Sequence, residues 1–181
     1  MFQYSPMASV VLLLGGECTG KTTLAKELSM RIANRPVTVV PEALRDFVDR
    51  HNRTPRRDEQ AAIWREQTES LEQAIAASTG DAVVIADPAP LMTAVYSVQY
   101  FDDDSLLSPA LLATRSCDLV AWCAPDLPWE PDGIVRDGPQ ARDATQRLLE
   151  QRVASELHDI PVIDVAGTLD ERVARVLVHL P

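Results

Sequence analysis

Two hydrophobic rhythms alternate along the chain: short unbroken apolar runs, and longer stretches in which apolar residues recur every three or four positions. Ser9-Val-Val-Leu-Leu-Leu14 is uninterrupted and ends in glycines, which predicts a strand covered on both faces, as at the centre of a parallel sheet. Pro36 to Val40, Ala82 to Ala86, Asp118 to Cys123 and Pro161 to Val165 predict four further strands. Lys21 to Asn34 predicts a helix whose Leu24, Leu28 and Ile32 share one face. A second helix runs from after Glu42 to about His51, and a polar break around Pro55 separates it from a longer one at about 58–78. That longer helix sets Trp64, Thr68, Leu71 and Ile75 on one side and stops at Thr79-Gly80-Asp81. Further helices are predicted at 91–101, 108–115, 143–157 and 169–180, with the proline-rich stretch Ala124 to Pro139 left irregular.

Strands that alternate with helices imply a parallel sheet with right-handed crossovers and helices on both faces. No internal repeat, low-complexity tract or interdomain linker interrupts the pattern, so residues 1–181 are expected to form a single α/β domain.

Composition narrows the function classes. Hydrophobic residues make up 46% and charged residues 24% of the 181, an ordinary globular balance. The formal net charge of −10 repels a nucleic-acid backbone. The densest basic cluster, Arg50, Arg53, Arg56 and Arg57, is interleaved with Asp46, Asp49, Asp58 and Glu59, and reads as a salt-bridged connection rather than a binding patch. Three cysteines, at 18, 117 and 123, form no CxxC pair and suit a reducing compartment. Met1 to Ala8 lacks the basic flank of a signal peptide, and Val10 to Leu14 is too short to cross a bilayer. The expectation is therefore a cytoplasmic protein that binds neither nucleic acid nor membrane; the number of copies is left open.

The first strand runs straight into Gly15-Gly16-Glu17-Cys18-Thr19-Gly20-Lys21-Thr22, a full match to G-x-x-x-x-G-K-[ST], with Thr23 continuing into the helix. Glycines let successive backbone N–H groups close on phosphate oxygens, and the helix that follows adds its positive N-terminal end. Lys21 can reach the β- and γ-phosphates, and the Thr22 hydroxyl can ligate Mg²⁺. ATP and Mg²⁺ are the implied cofactors. The motif in this strand–loop–helix setting predicts a three-layer P-loop NTPase fold, its five parallel strands ordered 2-3-1-4-5, with a short lid at about 125–143.

Ligands of such sheets sit beyond the carboxyl ends of the strands. Two acids fall there: Glu42 after the second strand and Asp87 after the third. Asp87 closes an apolar run, the context of a Mg²⁺-organising aspartate; it could also deprotonate an attacking hydroxyl, or cap the next helix. Glu42 could orient or deprotonate a substrate hydroxyl, or simply pair with Arg45 three residues on. The segment after the fourth strand carries Trp129, which could stack on a planar ring, then Asp132, Arg136 and Arg142; arginines on a closing loop can offset γ-phosphate charge. Gly167, after the fifth strand, is placed to border a nucleotide base, although Thr168 as a helix cap accounts for the same turn.

Together the phosphate loop, Pro41-Glu-Ala-Leu-Arg-Asp-Phe47, Gln60 to Gln67, Asp87 and Pro128-Trp-Glu-Pro-Asp-Gly-Ile-Val-Arg136 resemble the ribosylnicotinamide (nicotinamide riboside) kinase-like P-loop family of bacterial NAD salvage. The resemblance covers most of the chain. It implies ATP-dependent phosphorylation of a ribosyl hydroxyl, with Asp87 near metal and acceptor, and Trp129 and Asp132 near the nucleoside. Two departures stand out. Asp87-Pro88-Ala89 lacks the second acid of the family's Asp-Thr-Asp, and no adenylyltransferase domain is expected within these 181 residues. A small-molecule kinase of nucleoside type, with Lys21, Asp87, Glu42, Arg136 and Arg142 as reacting groups, is the leading expectation. A slow ATP-hydrolysing switch without a small-molecule acceptor is the alternative. A GTPase is disfavoured, because Ala124-Pro-Asp126 stands where a guanine-reading Asn-Lys-x-Asp would fall.

Overall fold

The computed structural model describes residues 8–130 and 138–181. In chain order the elements are β1 (Ser9–Leu14), α1 (Lys21–Arg31), β2 (Val37–Val40), α2 (Ala43–His51), a 3-10 turn (Arg57–Glu59), α3 (Gln60–Ala77), β3 (Val83–Ala86), α4 (Leu91–Phe101), α5 (Leu107–Thr114), β4 (Leu119–Cys123), α6 (Pro139–Glu156), β5 (Val162–Val165) and α7 (Leu169–His179). The strands form one all-parallel sheet in the order β2-β3-β1-β4-β5. The chain thus builds outward from β1 on one side and then on the other. The reversal opens a crevice at the carboxyl end of β1, where such sheets bind ligands.

The run in β1 is unbroken because both its faces are covered, as expected. Val10, Leu12 and Leu14 join a core with residues of α3, α4, α5 and α6. Val11 and Leu13 join a second core with Leu24 and Leu28 of α1 and Val173 and Val176 of α7. Alternate residues of one strand anchor opposite helical layers, which is what makes the domain three layers deep.

Two elements differ from the hydrophobic reading. Helix α6 begins at Pro139 rather than Asp143, because Gly138, at φ 106°, ends the loop and the proline ring suits the first helical turn. Residues 139–143 are therefore helix instead of lid, and Arg142 stands on a rigid element. In α3 the fully buried positions are Gln60, Ile63, Gln67 and Leu71. Trp64 and Ile75 pack only at the margin of the core. Two glutamines sit on the buried stripe because they face polar backbone and a cavity, which a hydrophobic count does not register. Among the described residues no helix is long and apolar enough to cross a membrane.

Candidate functional site

The loop between β1 and α1 is held by its own glycines and by the helices behind it. Gly15 takes φ 144°, and a Cβ there would lie 2.7 Å from both the Cys123 carbonyl oxygen and Thr19 Oγ1, so no larger residue fits. Thr19 Oγ1 donates to the Gly16 carbonyl (2.8 Å), closing the turn from within. Gly20, at φ 79°, is the N-cap of α1 and carries no side chain to occupy the first-turn amides. Those amides have no intrahelical acceptor and point out of the helix with its positive end. Lys21 Nζ donates to the carbonyls of Gly15 and Gly16, both at 2.8 Å, which keeps the ammonium over the loop.

Three side chains brace this loop. Gln146 of α6 accepts from the Gly16 N–H at 3.2 Å. Arg142 of α6 lies against Gly16, where a Cβ would meet the Arg142 carbonyl oxygen at 3.0 Å, and its Nη1 donates to the Leu127 carbonyl at 2.9 Å. Arg172 of α7 is only 2% exposed. It donates to the carbonyls of Thr19 and Gly167, each at 2.9 Å, and forms an ion pair with Asp126. The loop's shape is thus tied to β4, β5, α6 and α7 together.

Asp87 and Glu42 close the strands beside it. Asp87, 6% exposed, is hydrogen-bonded to the Thr22 side chain. Burial pushes its carboxyl above the ordinary range, against the pull of Thr22, Lys21, Arg45 and Lys26. Glu42 is the N-cap of α2, and its side chain retains 22% exposure. Burial raises its pKa too, with Lys21 and Arg45 opposing and the Asp87 carboxylate adding to the rise. Arg45 Nε lies 3.9 Å from Glu42. The backbone around both acids is held by one residue, Gln67, itself 2% exposed. Its Oε1 accepts from Ala43 N–H at 2.7 Å, while Nε2 donates to the Pro41 carbonyl at 3.1 Å and to the Pro88 carbonyl at 3.3 Å.

A cavity of about 390 Å³ begins at the loop, with Lys21, Thr22, Glu42, Arg45 and Asp87 in its wall. It continues between α2, the α2–α3 connection and α4, where Leu44, Val48, Tyr96, Tyr100 and Phe101 give it an apolar, aromatic end. Thr54, Pro55 and Gln60 complete that end. The connection is fixed there by Arg53, which pairs with both Glu59 oxygens (2.7 and 2.6 Å) and lies 5.2 Å from the Phe47 ring centroid. The basic cluster is salt-bridged as its composition suggests: Arg50 pairs with Glu66, and Arg57 with Asp103. The size falls within the ~300–1,000 Å³ usual for small-molecule sites.

Lys21, Thr22, Asp87, Glu42 and Arg45 thus converge on one cavity, and Glu17, Cys18, Thr19, Gly20 and Thr23 line it with them. Gly15 and Gly16 shape the loop from behind. Gly167 donates its N–H to Asp126 (2.6 Å) at the end of β5, outside the cavity wall. Trp129 is half-buried and also outside that wall; its neighbour Glu130 exchanges 3.2 Å backbone contacts with Cys18 Sγ. Asp132 and Arg136 lie outside the described residues. The aromatic end of the cavity escaped the sequence reading, since its residues come from three separate elements. Tyr96 and Tyr100, four apart on α4, were the one local signal.

A side-chain-free helix start at the switch point of a 2-3-1-4-5 parallel sheet, with an acid ending the neighbouring strand, defines a P-loop nucleotide-binding protein of kinase-like fold. The family model described as an AAA domain matches residues 10–172, and the chain belongs to that family. No curated protein matches it by sequence. Among solved structures it is similar to a NadR protein in complex with NAD and AMP-PNP: 22% identity, TM-score 0.72, covering 96% of this chain and 49% of that one. Another structure of NadR, in complex with NR, gives 19% identity and the same TM-score. The chain spans about half the length of these NadR chains. It also matches deoxyadenosine kinase from M. mycoides with bound products, at 13% identity and TM-score 0.63, covering 95% of this chain and 97% of that one. For thymidylate kinase from Ehrlichia chaffeensis the figures are 15%, 0.64, 96% and 98%. At these identities the likeness is one of fold.

Proposed function

We propose that this chain is an ATP-dependent kinase of nucleoside type, which transfers a phosphoryl group to a ribosyl hydroxyl, with nicotinamide riboside the first acceptor to test. The observation that carries this reading is the single cavity that joins the phosphate loop and two burial-raised carboxylates to an aromatic end large enough for a nucleoside. A protein that only hydrolyses ATP has no use for that aromatic end. The solved relatives with this fold are kinases whose described complexes hold NR or deoxynucleotides, which supports the same reading.

The loop residues Gly15 to Thr23 hold the phosphates through backbone N–H groups and the positive end of α1. Lys21, already seated over the loop, moves its ammonium from the Gly15 and Gly16 carbonyls to the β- and γ-phosphate oxygens. Thr22 and Asp87 suit Mg²⁺: they are two oxygen donors within hydrogen-bond reach of each other, and Mg²⁺ takes few protein ligands beside phosphates and water. Among the described residues no group of three or more His, Cys, Asp or Glu side chains is arranged to hold a metal ion. Mg²⁺, when bound, offsets charge on the phosphate oxygens.

That assignment leaves Glu42 to take the acceptor's proton. Its raised pKa brings it closer to a hydroxyl's proton affinity than an exposed carboxylate, and at the start of α2 it lines the cavity. Arg45 supplies a cation beside it. Leu44, Val48, Tyr96 and Tyr100 exclude water and offer planar faces to a ring.

Incubation with γ-labelled ATP and a ribonucleoside panel that includes nicotinamide riboside tests the proposal. Label appearing on an acceptor, and absent with Lys21→Ala, is the expected result. Phosphate released at one slow rate with and without every acceptor would refute it and favour the ATP-hydrolysing switch.

A further inference from the structure

Gln146 of α6 is 5% exposed, and the two ends of its carboxamide fare differently. Its Oε1 accepts from the Gly16 N–H at 3.2 Å, whereas Nε2 is sealed from solvent and meets no acceptor among the described residues. A buried amide donor without a partner weakens the fold, so an apolar side chain of this size would pack here at less cost. What a glutamine adds, and an apolar residue cannot, is the acceptor for Gly16.

The Gly16 N–H belongs to the same planar peptide unit as the Gly15 carbonyl, and in a trans unit the two point in opposite directions. Their partners lie accordingly on opposite sides: Gln146 takes the N–H, and Lys21 Nζ donates to the Gly15 carbonyl at 2.8 Å. Both residues of the unit are glycines, so no side chain of their own resists its rotation. The Gly16 carbonyl, the lysine's other acceptor, is steadied from within the loop by Thr19 Oγ1. The Gly15–Gly16 unit is therefore the part of the lysine's seat that depends on α6. That helix is firmly mounted. Arg142, one turn earlier, lies against Gly16 and donates to the Leu127 carbonyl. Thr145 Oγ1 donates to Gln99 Oε1 of α4 at 2.6 Å, and Gln99 Nε2 donates to the Ala141 carbonyl at 3.3 Å.

Where Lys21 rests before a nucleotide arrives matters, because two acids compete for it. Glu42 and Asp87 line the same cavity. Burial raises both carboxyls, and the Lys21 charge is among the influences that oppose the rise. An ammonium against a carboxylate is held by attraction between two full charges; against a carbonyl only a partial charge holds it. A phosphate draws it from the second kind of seat at less cost. We infer that Gln146 is a positioning residue: by fixing the Gly15–Gly16 peptide it keeps the Lys21 ammonium over the phosphate loop and off Glu42 and Asp87. The inference rests on the nucleotide-binding half of the proposed function, not on the identity of the acceptor.

Titration calorimetry with Mg²⁺ and a non-hydrolysable ATP analogue tests this on wild type, Gln146→Leu, Lys21→Ala and the double variant. Gln146→Leu should weaken analogue binding on the order of tenfold, the scale of one lost hydrogen bond. Its urea midpoint should stay near that of wild type, since the unpaired Nε2 is removed together with the bond to Gly16. In the double variant the loss should be no greater than in Lys21→Ala alone, because a residue that works through the lysine then has nothing to position. Gln146→Met, closer in shape to glutamine, replaces Gln146→Leu should that protein fail to fold. Wild-type affinity in the Gln146 variant overturns the inference. So do losses that simply add in the double variant, the result a general brace of the loop would give. A wild-type protein that binds the analogue with this coupling, yet phosphorylates no acceptor, supports the inference while the kinase reading falls. No binding by wild type overturns both.

Discussion

Replacing Gln67 by leucine removes three hydrogen bonds at once and fills nearly the same volume with an apolar side chain. The Ala43 N–H, in a residue 5% exposed, loses its acceptor, and the carbonyls of Pro41 and Pro88 lose their shared donor. At about 1 kcal/mol per bond, with more for a buried donor left unpaired, Gln67→Leu should destabilise the protein by roughly 2–4 kcal/mol. With a urea m-value near ~2 kcal/mol/M, the unfolding midpoint falls by ~1–2 M. Turnover should fall more steeply than ATP affinity, because the loosened segments carry Glu42 and Asp87, whereas the phosphate loop keeps its ties to Gln146 and Arg172. Gln67→Glu sharpens the test. The new carboxyl keeps the bond from Ala43, but its ionised form faces two carbonyl oxygens; its protonated form can donate to one of them. That group's pKa is raised in the fold, so its contribution to stability is present at low pH and lost as pH rises. The variant should lie closer to wild type near pH 5 than at pH 8. Urea titrations of both variants at the two pH values, beside steady-state assays, are sufficient. A Gln67→Leu protein within ~0.5 kcal/mol of wild type would refute the idea that this side chain clamps the two strand ends.

The remaining expectations concern the loop and its acids. Lys21→Ala should lower acceptor-dependent transfer on the order of 10²–10³-fold or more with an unchanged circular dichroism spectrum, since its bonds to Gly15 and Gly16 are partly exposed. Asp87→Asn should abolish transfer and yet raise the nucleotide-free melting temperature at pH 7–8. Burial raises the Asp87 pKa, so its contribution is full below the unfolded value of about 4 and is lost as pH rises through the folded one. The gain from asparagine should accordingly vanish near pH 4. Arg172→Leu strips the Thr19 and Gly167 carbonyls of a buried donor and strands Asp126, which at 36% exposure can hydrate. A loss of roughly 2–4 kcal/mol in urea unfolding and a raised KM for ATP are expected, with acceptor KM little changed.

The parts that were legible in the sequence are those fixed by contiguous residues. The phosphate loop is one unbroken string, and β1 advertises its central place through a run with no polar face. The strand order followed from that motif and the strand–helix alternation, and the sheet carries it. Asp87 was found because it ends an apolar strand. What stayed hidden depends on distance in the chain. Gln60 and Gln67 look like polar positions on an amphipathic helix until β2, β3 and α4 are packed around them. Arg172 reads as an ordinary helix-start residue beside Thr168 and Glu171. Its burial arises only because Thr19, Asp126 and Gly167 converge on it from three other segments. Arg142 was read as a lid residue because Pro139 suggests a loop; in the first turn of α6 the same proline begins a helix.

The crevice at β1 divides the site's labour along the sheet. On the β4–β5 side, Arg142, Gln146 and Arg172 hydrogen-bond to backbone atoms of the phosphate loop and the segments beside it, and Arg172 also pairs with Asp126, so on the proposed reading they position the phosphates rather than the acceptor. On the β2–β3 side, Glu42 and Asp87 stand on strand ends locked by Gln67, and the same helix carries Gln60 to the far end of the cavity. One helix therefore sets both the position of the acids and the distance from them to the aromatic end of the cavity. A shift of α3 along its axis cannot improve the fit to a longer acceptor without dragging the Ala43 and Pro88 backbones with it. On the proposed reading, the clamp at Gln67 for this reason constrains the length of the acceptor.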